Sequence, residues 1–211
     1  MGFFDRSRSQ LADKGIDPGR LPPGQYHTDR FPVLHAGRVP QYDDLSKWTL
    51  SIGGLVGHQA VISWDQLQAM PSVDIEVDIH CVTKWSKFDT TWRGVPFEDL
   101  LALAGGANPE GTHLMCHAEF GFTANLPLED CLGVDDKGQP KSMVTYQFGG
   151  EPLDPEHGYP ARFLLPRLYF WKSAKWLRSL EVMRGDRPGF WEQNGYHMYG
   201  DPFREQRYWG E

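Results

Sequence analysis

The stretch Val-Asp-Ile-Glu-Val-Asp-Ile-His-Cys, residues 73–81, carries a strong secondary-structure pattern. Its apolar side chains alternate with polar ones, and this period of two is typical of a β-strand with one buried face. The buried face ends at Cys81, whereas His80 points to the opposite side. We therefore expect a strand that places a cysteine at the end of its buried face.

Helices are predicted to be few and short around this strand. Ser63 to Gln66 is a capping-box pattern that opens a short helix ending at Met70. A second helix is expected over residues 96–104, with proline in its first turn and two glycines after its end. Strand-like runs separated by Gly and Pro turns lie at residues 48–52, 114–118, 143–148, 163–165 and 180–183. The pattern predicts a mixed α+β fold dominated by sheets.

The composition limits the class of protein. With 211 residues, 40% of them hydrophobic and 23% charged, the chain can bury the core of one large domain. Its net charge of −7 argues against general nucleic-acid binding, which needs a basic face. No apolar run approaches the roughly 20 residues that span a bilayer. The polar start of the chain lacks the pattern of an export signal, so we expect a cytoplasmic protein.

Two segments are expected to flank the central domain. Residues 1–30 are rich in charge, Gly and Pro, which is typical of an N-terminal arm wrapped on a domain. Residues 186–211 form an aromatic C-terminal extension, and its aromatic side chains are Phe190, Trp191, Tyr196, Tyr199, Phe203, Tyr208 and Trp209. So much apolar area predicts that the extension packs on the domain or on a partner.

The three cysteines, Cys81, Cys116 and Cys131, are too few and too unevenly spaced for a disulfide scaffold. Cys81 is a candidate metal ligand, because a thiolate is a soft ligand suited to a soft or high-valent metal. Lys84, three residues later, would favour the ionised sulfur. The alternative is that Cys81 is an ordinary core cysteine.

A basic cluster interrupts this acidic chain. Residues 157–180 contain no acid and five cations, which are Arg162, Arg167, Lys172, Lys175 and Arg178. Interleaved apolar residues such as Phe163 and Trp171 indicate that the segment is largely buried. Such a cluster suits an anionic cofactor, because arginine binds phosphate oxygens as a fork and lysine as a point charge. An exposed patch that balances acidic neighbours is the alternative.

Other catalytic patterns are weaker. Cys116 and His117 are close enough in sequence to bind zinc, but adjacent residues of a strand point to opposite faces. A second Cys/His pair, a Rossmann glycine fingerprint, a P-loop and a Gly-x-Ser-x-Gly elbow are all missing from the sequence. A zinc-dependent hydrolase nevertheless stays open as an alternative.

Two motifs stand on either side of the centre of the chain. The first runs from Val77 to Ser86 and continues through residues 91–96, Thr-Trp-Arg-Gly-Val-Pro. The second comprises residues 157–162, His-Gly-Tyr-Pro-Ala-Arg, and residues 172–176, Lys-Ser-Ala-Lys-Trp. In order and spacing they resemble the molybdopterin-binding domain of the sulfite oxidase family.

The resemblance implies a sulfite-oxidase-type molybdopterin-binding fold over residues 31–185 and a molybdenum–molybdopterin (Mo-pterin) cofactor. Cys81 matches the family's thiolate ligand to molybdenum. The residues that match its cofactor contacts are His35, His157, Arg162, Lys172, Ser173 and Lys175. From their positions, Lys84 and His117 are expected to meet an anionic or oxo-bearing small-molecule substrate.

The resemblance also implies the activity, a two-electron oxidation or reduction with oxygen-atom transfer at molybdenum. The chain has no haem or flavin motif, so we expect a separate haem, flavin or iron–sulfur protein to exchange the electrons. Residues 82–86 lack the arginines that sulfite oxidases carry after the cysteine and are closer to bacterial relatives that reduce methionine sulfoxide. The remaining alternative is a cofactor-free interaction module with the same fold.

Overall fold

The computed structural model describes residues 3–210, in which two β-sheets outweigh a few helices. The helices are α1 (Phe3–Asp13), α2 (Trp64–Ala69), α3 (Phe97–Leu103), α4 (Leu128–Cys131) and α5 (Phe190–Gln193). The strands are β1 (Tyr26–His27), β2 (Thr49–Gly54), β3 (Ala60–Ser63), β4 (Val73–His80), β5 (Trp85–Pro96), β6 (His113–Ala118), β7 (Thr123–Pro127), β8 (Met143–Phe148), β9 (Glu151–Pro152), β10 (Arg162–Leu164) and β11 (Leu177–Met183). This architecture confirms the predicted sheet-dominated α+β fold.

The two sheets are both mixed. The first has the order β1-β5-β8-β10, with β4 also paired to β5 and β9 to β8. The second has the order β3-β2-β11-β6-β7. The pairs β1–β5 and β2–β11 are parallel, and the other pairs are antiparallel. None of the helices within residues 3–210 is long and apolar enough to cross a membrane.

Strand β4 and the start of β5 position the cysteine. Ile75 and Ile79 are buried while Asp74 is exposed, which confirms the alternation predicted for this strand. Regular β4 pairing ends at His80, opposite Ser86, and Cys81 begins the turn into β5. His80 is buried as well, on the opposite side, where its Nδ1 lies 2.8 Å from the hydroxyl of Ser86.

Strand β8 of the first sheet is buried on both faces over residues 143–146. Neighbouring residues of β8 divide between two clusters, with Val144 in the core shared with the second sheet and Met143 in a core around Trp92. Helix α3 inserts Phe97 and Leu100 into the shared core. Burying each such side chain contributes about 1.5–3 kcal/mol.

Local signals in the sequence locate both predicted helices closely. Ser63 caps α2, because its hydroxyl accepts from the Gln66 amide while the Gln66 side chain accepts from the Ser63 amide. The second predicted helix, over residues 96–104, is α3, which is shorter by one residue at each end. Caps and hydrophobic spacing are short-range features, so they transfer directly from sequence to structure.

The N-terminal arm joins the edge of the first sheet. After α1 and a 3-10 turn at Pro18–Arg20, strand β1 pairs in parallel with β5. The guanidinium of Arg20 lies 2.6 Å from a carboxylate oxygen of Asp78 in β4. These contacts tie the arm to the two strands that flank Cys81.

The C-terminal segment packs only in part. Trp191 and Tyr196 contact each other, with ring centroids 4.9 Å apart, and Tyr196 also contacts Trp171. Tyr196 forms an antiparallel bridge with Tyr208, which closes the segment on itself. Large apolar side chains that stay exposed here are Phe203, Tyr208 and Trp209.

Candidate active site

A cavity of about 220 Å³ opens at the carboxyl end of β4. Three distant segments form its wall, namely the loop at residues 31–36, the turn at residues 81–85 and the segment from His157 to Trp176. Trp191 and Tyr196 of the C-terminal segment close it. Among the described residues that line this cavity, no Asp or Glu is present.

Cys81 presents its thiol to this cavity from the turn after β4. The side chain is buried, and the hydroxyl of Thr83 donates to its Sγ at 3.1 Å. Burial raises the pKa of the thiol, while hydrogen bonds from Thr83 and Val82 and the charge of Lys175 act in the opposite direction. The site therefore holds a thiol whose ionised form already has a hydrogen-bond donor and a nearby lysine.

Arg162, in β10, is the most deeply buried cation of the cavity. Its Nη1 donates to the His157 carbonyl at 2.9 Å and its Nη2 to the Ser173 carbonyl at 2.7 Å. The guanidinium lies 4.1 Å from the ring centroid of Phe170. Burial lowers its pKa to about 9, because no carboxylate compensates the charge. Its Nε is buried without a hydrogen-bond partner in the described structure.

Lys175 is the second cation of the cavity. Its Nζ donates to the carbonyls of Leu34 and Glu156, each at 2.8 Å. Burial, and then the nearby charge of Arg162, lower the pKa of Lys175 to about 7. Two like charges held close in a poorly solvated place favour an anion between them.

Three more predicted cofactor residues line the same cavity. The ring of His157 stacks on Phe31 at 3.8 Å, and its pKa is lowered by burial and then by Arg162. Ser173 is buried, with its hydroxyl accepting from the Leu165 amide at 3.0 Å. His35 is exposed at the edge, where its Nδ1 lies 3.0 Å from the Gly37 carbonyl. Residues that lie more than 120 positions apart in the sequence thus line one cavity.

Lys84 and Lys172 do not line the cavity. Lys84 is exposed on the turn, in the left-handed region with φ 76°, and the lysine charge that acts on Cys81 is that of Lys175. Lys172 is fully buried, with its Nζ 2.6 Å from Glu192 Oε1 and 3.0 Å from Asn125 Oδ1. The structure therefore leaves both lysines apart from the group that surrounds Cys81.

Aromatic side chains that the sequence analysis treated as packing form another wall of the cavity. Trp171, Trp191 and Tyr196 all line it. Burial is the main cause that raises the pKa of Tyr196, followed by the charges of Tyr208 and Cys81. The sequence signal for this wall was the aromatic density of the C-terminal extension. No sequence signal distinguishes Thr83, whose hydroxyl binds the sulfur of Cys81.

Cys116 and His117, the candidate zinc ligands, point to opposite faces of the second sheet. Cys116 is fully buried in the shared core, and His117 points to the other face, with its Nε2 2.8 Å from Glu181. Within residues 3–210, no three His, Cys, Asp or Glu side chains gather closely enough to hold a metal ion. His117 also lies outside the set of residues that line the cavity.

Comparison with known proteins identifies the class. Residues 36–191, most of the chain, match the family described as "Oxidoreductase molybdopterin binding domain". Together with a sheet-dominated fold and a thiol facing a basic cavity, this match defines a molybdopterin-dependent oxidoreductase. The chain belongs to this molybdopterin-binding family, and its cofactor is Mo-pterin.

Relatives of several kinds support this assignment. The "Uncharacterized oxidoreductase YuiH" of Bacillus subtilis is 48% identical over 190 residues, which cover 90% of this chain and 92% of that protein. The sulfite oxidase of Arabidopsis thaliana is 23% identical, covering 81% of this chain and 51% of that protein. The "Putative protein-methionine-sulfoxide reductase subunit YedZ1" of Azospira oryzae is 27% identical, with coverages of 74% and 57%. This chain spans about half the length of the last two.

A solved structure supports the fold. The sulfane dehydrogenase SoxCD from Paracoccus pantotrophus superimposes with a TM-score of 0.59 at 24% identity, over 72% of this chain and 41% of that chain. The likeness confirms the sulfite-oxidase-type architecture that the sequence predicts. At 24% identity, this likeness is evidence for the fold and not for the function.

The residues that line the cavity fit an anionic cofactor with a metal. The Nε of Arg162 is buried without a hydrogen-bond partner in the described structure. Burial makes the charged form of Lys175 unfavourable, and a bound anion would stabilise it. Cys81 is a free thiol, as are the other two cysteines, and it alone of the three lines the cavity. The phosphate of a pterin would pair with these two cations, and a thiophilic metal would bind the thiol of Cys81.

Proposed function

We propose that this oxidoreductase transfers an oxygen atom to or from a small substrate, with Cys81 as the protein ligand to molybdenum. Arg162 and Lys175 bind the anionic end of the pterin, and His157 and Ser173 border the same space. When bound, Mo-pterin supplies a two-electron redox centre, and the protein supplies its position and surroundings. The observation that carries the proposal is the convergence on one cavity of a free thiol and two cations whose pKa values burial lowers.

The two cations divide their tasks by geometry. Arg162 is fixed by two carbonyls and a stacked aromatic ring, so it provides a rigid, permanently oriented donor. Lys175 is held by two main-chain carbonyls that a phosphate oxygen would replace, and protonation of its amine would accompany anion binding. His35 lies at the exposed edge, where it would contact the outer part of the cofactor.

The aromatic wall is the substrate side of the cavity in this proposal. Trp171, Trp191 and Tyr196 give an apolar surface with one hydroxyl, and such a surface favours a small substrate of low charge. The phenol of Tyr196 would donate a hydrogen bond to a substrate oxygen. Lys84 and His117 lie outside this wall, so we assign them no part in substrate binding.

We further propose that a separate redox protein exchanges the electrons. The relative from Azospira oryzae is named as a subunit of a reductase, which supports an arrangement with more than one protein. Tyr208, which contacts Tyr196, and the adjacent Trp209 remain exposed. We also retain the cytoplasm as the proposed location, supported by the three free cysteines.

The alternatives fit the described residues less well. A cofactor-free interaction module has no use for a buried arginine with an unpaired Nε beside a free thiol. A zinc hydrolase built on Cys116 and His117 would need side chains that lie on opposite faces of the second sheet.

The test of the proposal uses protein purified from a host that makes Mo-pterin. The purified enzyme is assayed with a reduced dye and a neutral sulfoxide, and in the other direction with an oxidised dye and the corresponding thioether. Oxygen labelled in the sulfoxide should appear in water, or oxygen from labelled water in the oxidised product. Dye turnover without movement of the label would contradict oxygen-atom transfer.

An Arg162→Met variant tests the cofactor contacts independently of turnover. Loss of a charge-assisted fork should reduce retained pterin about tenfold or more. Arg184→Met is the matched control, because Arg184 is an exposed arginine that pairs with Glu110 away from the cavity. Equal pterin content in wild type and Arg162→Met would contradict the assigned role.

A further inference from the structure

The N-terminal arm binds the cysteine turn through three successive hydrogen bonds. The Gln25 side-chain amide donates to the carbonyl of Cys81 at 3.1 Å. The main-chain amides of Tyr26 and Thr28 donate to the carbonyls of Lys84 and Ser86 at 2.8 and 2.9 Å. Only the contact at Cys81 uses a side chain, so only this contact is specified by residue type.

The carbonyl that Gln25 binds belongs to the peptide unit between Cys81 and Val82. This oxygen also accepts from the Lys84 amide at 3.0 Å, within the turn. The turn that follows this peptide unit brings the hydroxyl of Thr83 to 3.1 Å from Cys81 Sγ. Because a peptide unit is planar, the donors that fix its oxygen also fix the path of the chain into this turn.

The sulfur of Cys81 receives a hydrogen bond from this turn, because the hydroxyl of Thr83 donates to it at 3.1 Å. Hydrogen bonds to a sulfur ligand reduce its electron density and tune the metal that it binds. A rotation of the peptide unit between Cys81 and Val82 would redirect the turn and move the Thr83 hydroxyl away from the sulfur.

Gln25 is suited to hold that peptide unit still. It is only 1% exposed, so water does not compete for the amide. Its place is secured from the other terminus, because Arg207 donates to the carbonyl of Pro23 at 3.1 Å. Gln25 lies outside residues 36–191, the range that matches the family.

We propose that Gln25 is a positioning residue, which fixes the peptide unit between Cys81 and Val82 and thereby the turn that brings the Thr83 hydroxyl to the metal-binding sulfur. The inference rests on the proposed role of Cys81 as the ligand. It assigns to the N-terminal arm a direct part in setting the properties of the metal centre, beyond its packing on the first sheet.

The experiment compares Gln25→Met, which keeps the length of the side chain without its donor, with wild type. In cofactor-free full-length protein, hydrogen exchange of the Cys81 and Lys84 amides, which donate to the Trp85 and Cys81 carbonyls, is measured by NMR. We expect exchange at Lys84 to become about fivefold or more faster, because the Cys81 carbonyl that accepts from it would lose its second donor. In protein loaded with Mo-pterin, the sulfur-to-molybdenum absorption band is expected to shift.

Gln206→Met is the matched control, because Gln206 is a buried glutamine that binds the Asp201 amide in the C-terminal segment. It should leave both signals unchanged. Gln25→Asn keeps the amide but shortens the side chain by one methylene, and it should reproduce the effect of Gln25→Met if reach to the carbonyl matters. This second variant keeps the test informative if Gln25→Met folds poorly.

Unchanged Lys84 exchange and an unchanged absorption band in both folded Gln25 variants would overturn the inference. The same holds if Gln206→Met changes both signals as much as Gln25→Met, since the effect would then reflect general destabilisation. Failure of the proposed function looks different, because wild type would bind no molybdenum while the exchange measurement on cofactor-free protein would still report on Gln25.

Discussion

Lys172 and Glu192 form a fully buried ion pair, with Nζ and Oε1 2.6 Å apart, that joins the basic segment to the C-terminal helix α5. The same carboxylate oxygen accepts from the indole of Trp171 at 2.7 Å. Lys172 also donates to the Met198 carbonyl at 2.6 Å. The pair therefore helps to hold the segment in which Trp191 and Tyr196 form part of the cavity wall.

Removing Lys172 should destabilise the protein without removing a cofactor contact. Lys172→Met leaves the Glu192 carboxylate buried without its counterion, which should cost about 3–5 kcal/mol of unfolding free energy in urea denaturation. Adding Glu192→Gln keeps an acceptor for Trp171 but removes the charge, so the double variant should recover part of the loss. A double variant less stable than Lys172→Met alone would contradict a buried ion pair.

The lowered pKa of Lys175 predicts that the stability of the folded protein depends on pH. Its folded-state pKa of about 7 lies below its ordinary value, so between these values the unfolded chain binds more protons than the folded protein. Cofactor-free protein should therefore gain stability as the pH rises from about 6 to about 9, and this gain should be absent from Lys175→Met. The measurement is urea denaturation of both proteins at the two pH values. A stability difference between them that does not change with pH would contradict the lowered pKa.

Tyr196 is predicted to affect turnover more than structure. Tyr196→Phe keeps the ring contacts with Trp171 and Trp191 but removes the hydroxyl, and we expect kcat to fall about tenfold at unchanged molybdenum content. Tyr199→Phe is the control, because the Tyr199 hydroxyl binds Arg167 outside the cavity. Equal activities of the two variants would argue against a substrate contact at Tyr196.

Short-range patterns in the sequence are sufficient for the elements near Cys81. Alternation in residues 73–81 locates β4, and a capping box at Ser63 locates α2, because both signals depend only on neighbouring residues. The cavity is different, since its wall combines segments that begin at Phe31, Cys81 and His157. Motif order indicated that these segments belong together, but the contacts between them depend on the tertiary fold.

Lys172 and Gln25 illustrate what composition leaves open. Lys172 lies in the basic motif with Lys175, yet its partner Glu192 comes from the C-terminal segment, so the sequence alone does not separate a buried ion pair from a cofactor contact. Gln25 has no distinguishing neighbours in the sequence. Its contact with Cys81 exists because β1 joins β5, a pairing across about sixty residues of chain that local patterns do not encode.

The most direct test of the account is the molybdenum and pterin content of wild type, Cys81→Ser and Cys116→Ala, purified from a host that makes the cofactor. Cys116 is the control thiol, buried in the core away from the cavity. We expect about one molybdenum atom per chain, with pterin, in wild type and Cys116→Ala, and a lower content or an altered metal absorption spectrum in Cys81→Ser. The same molybdenum content and the same spectrum in Cys81→Ser, or a wild-type protein with neither metal nor pterin, would contradict Cys81 as the ligand.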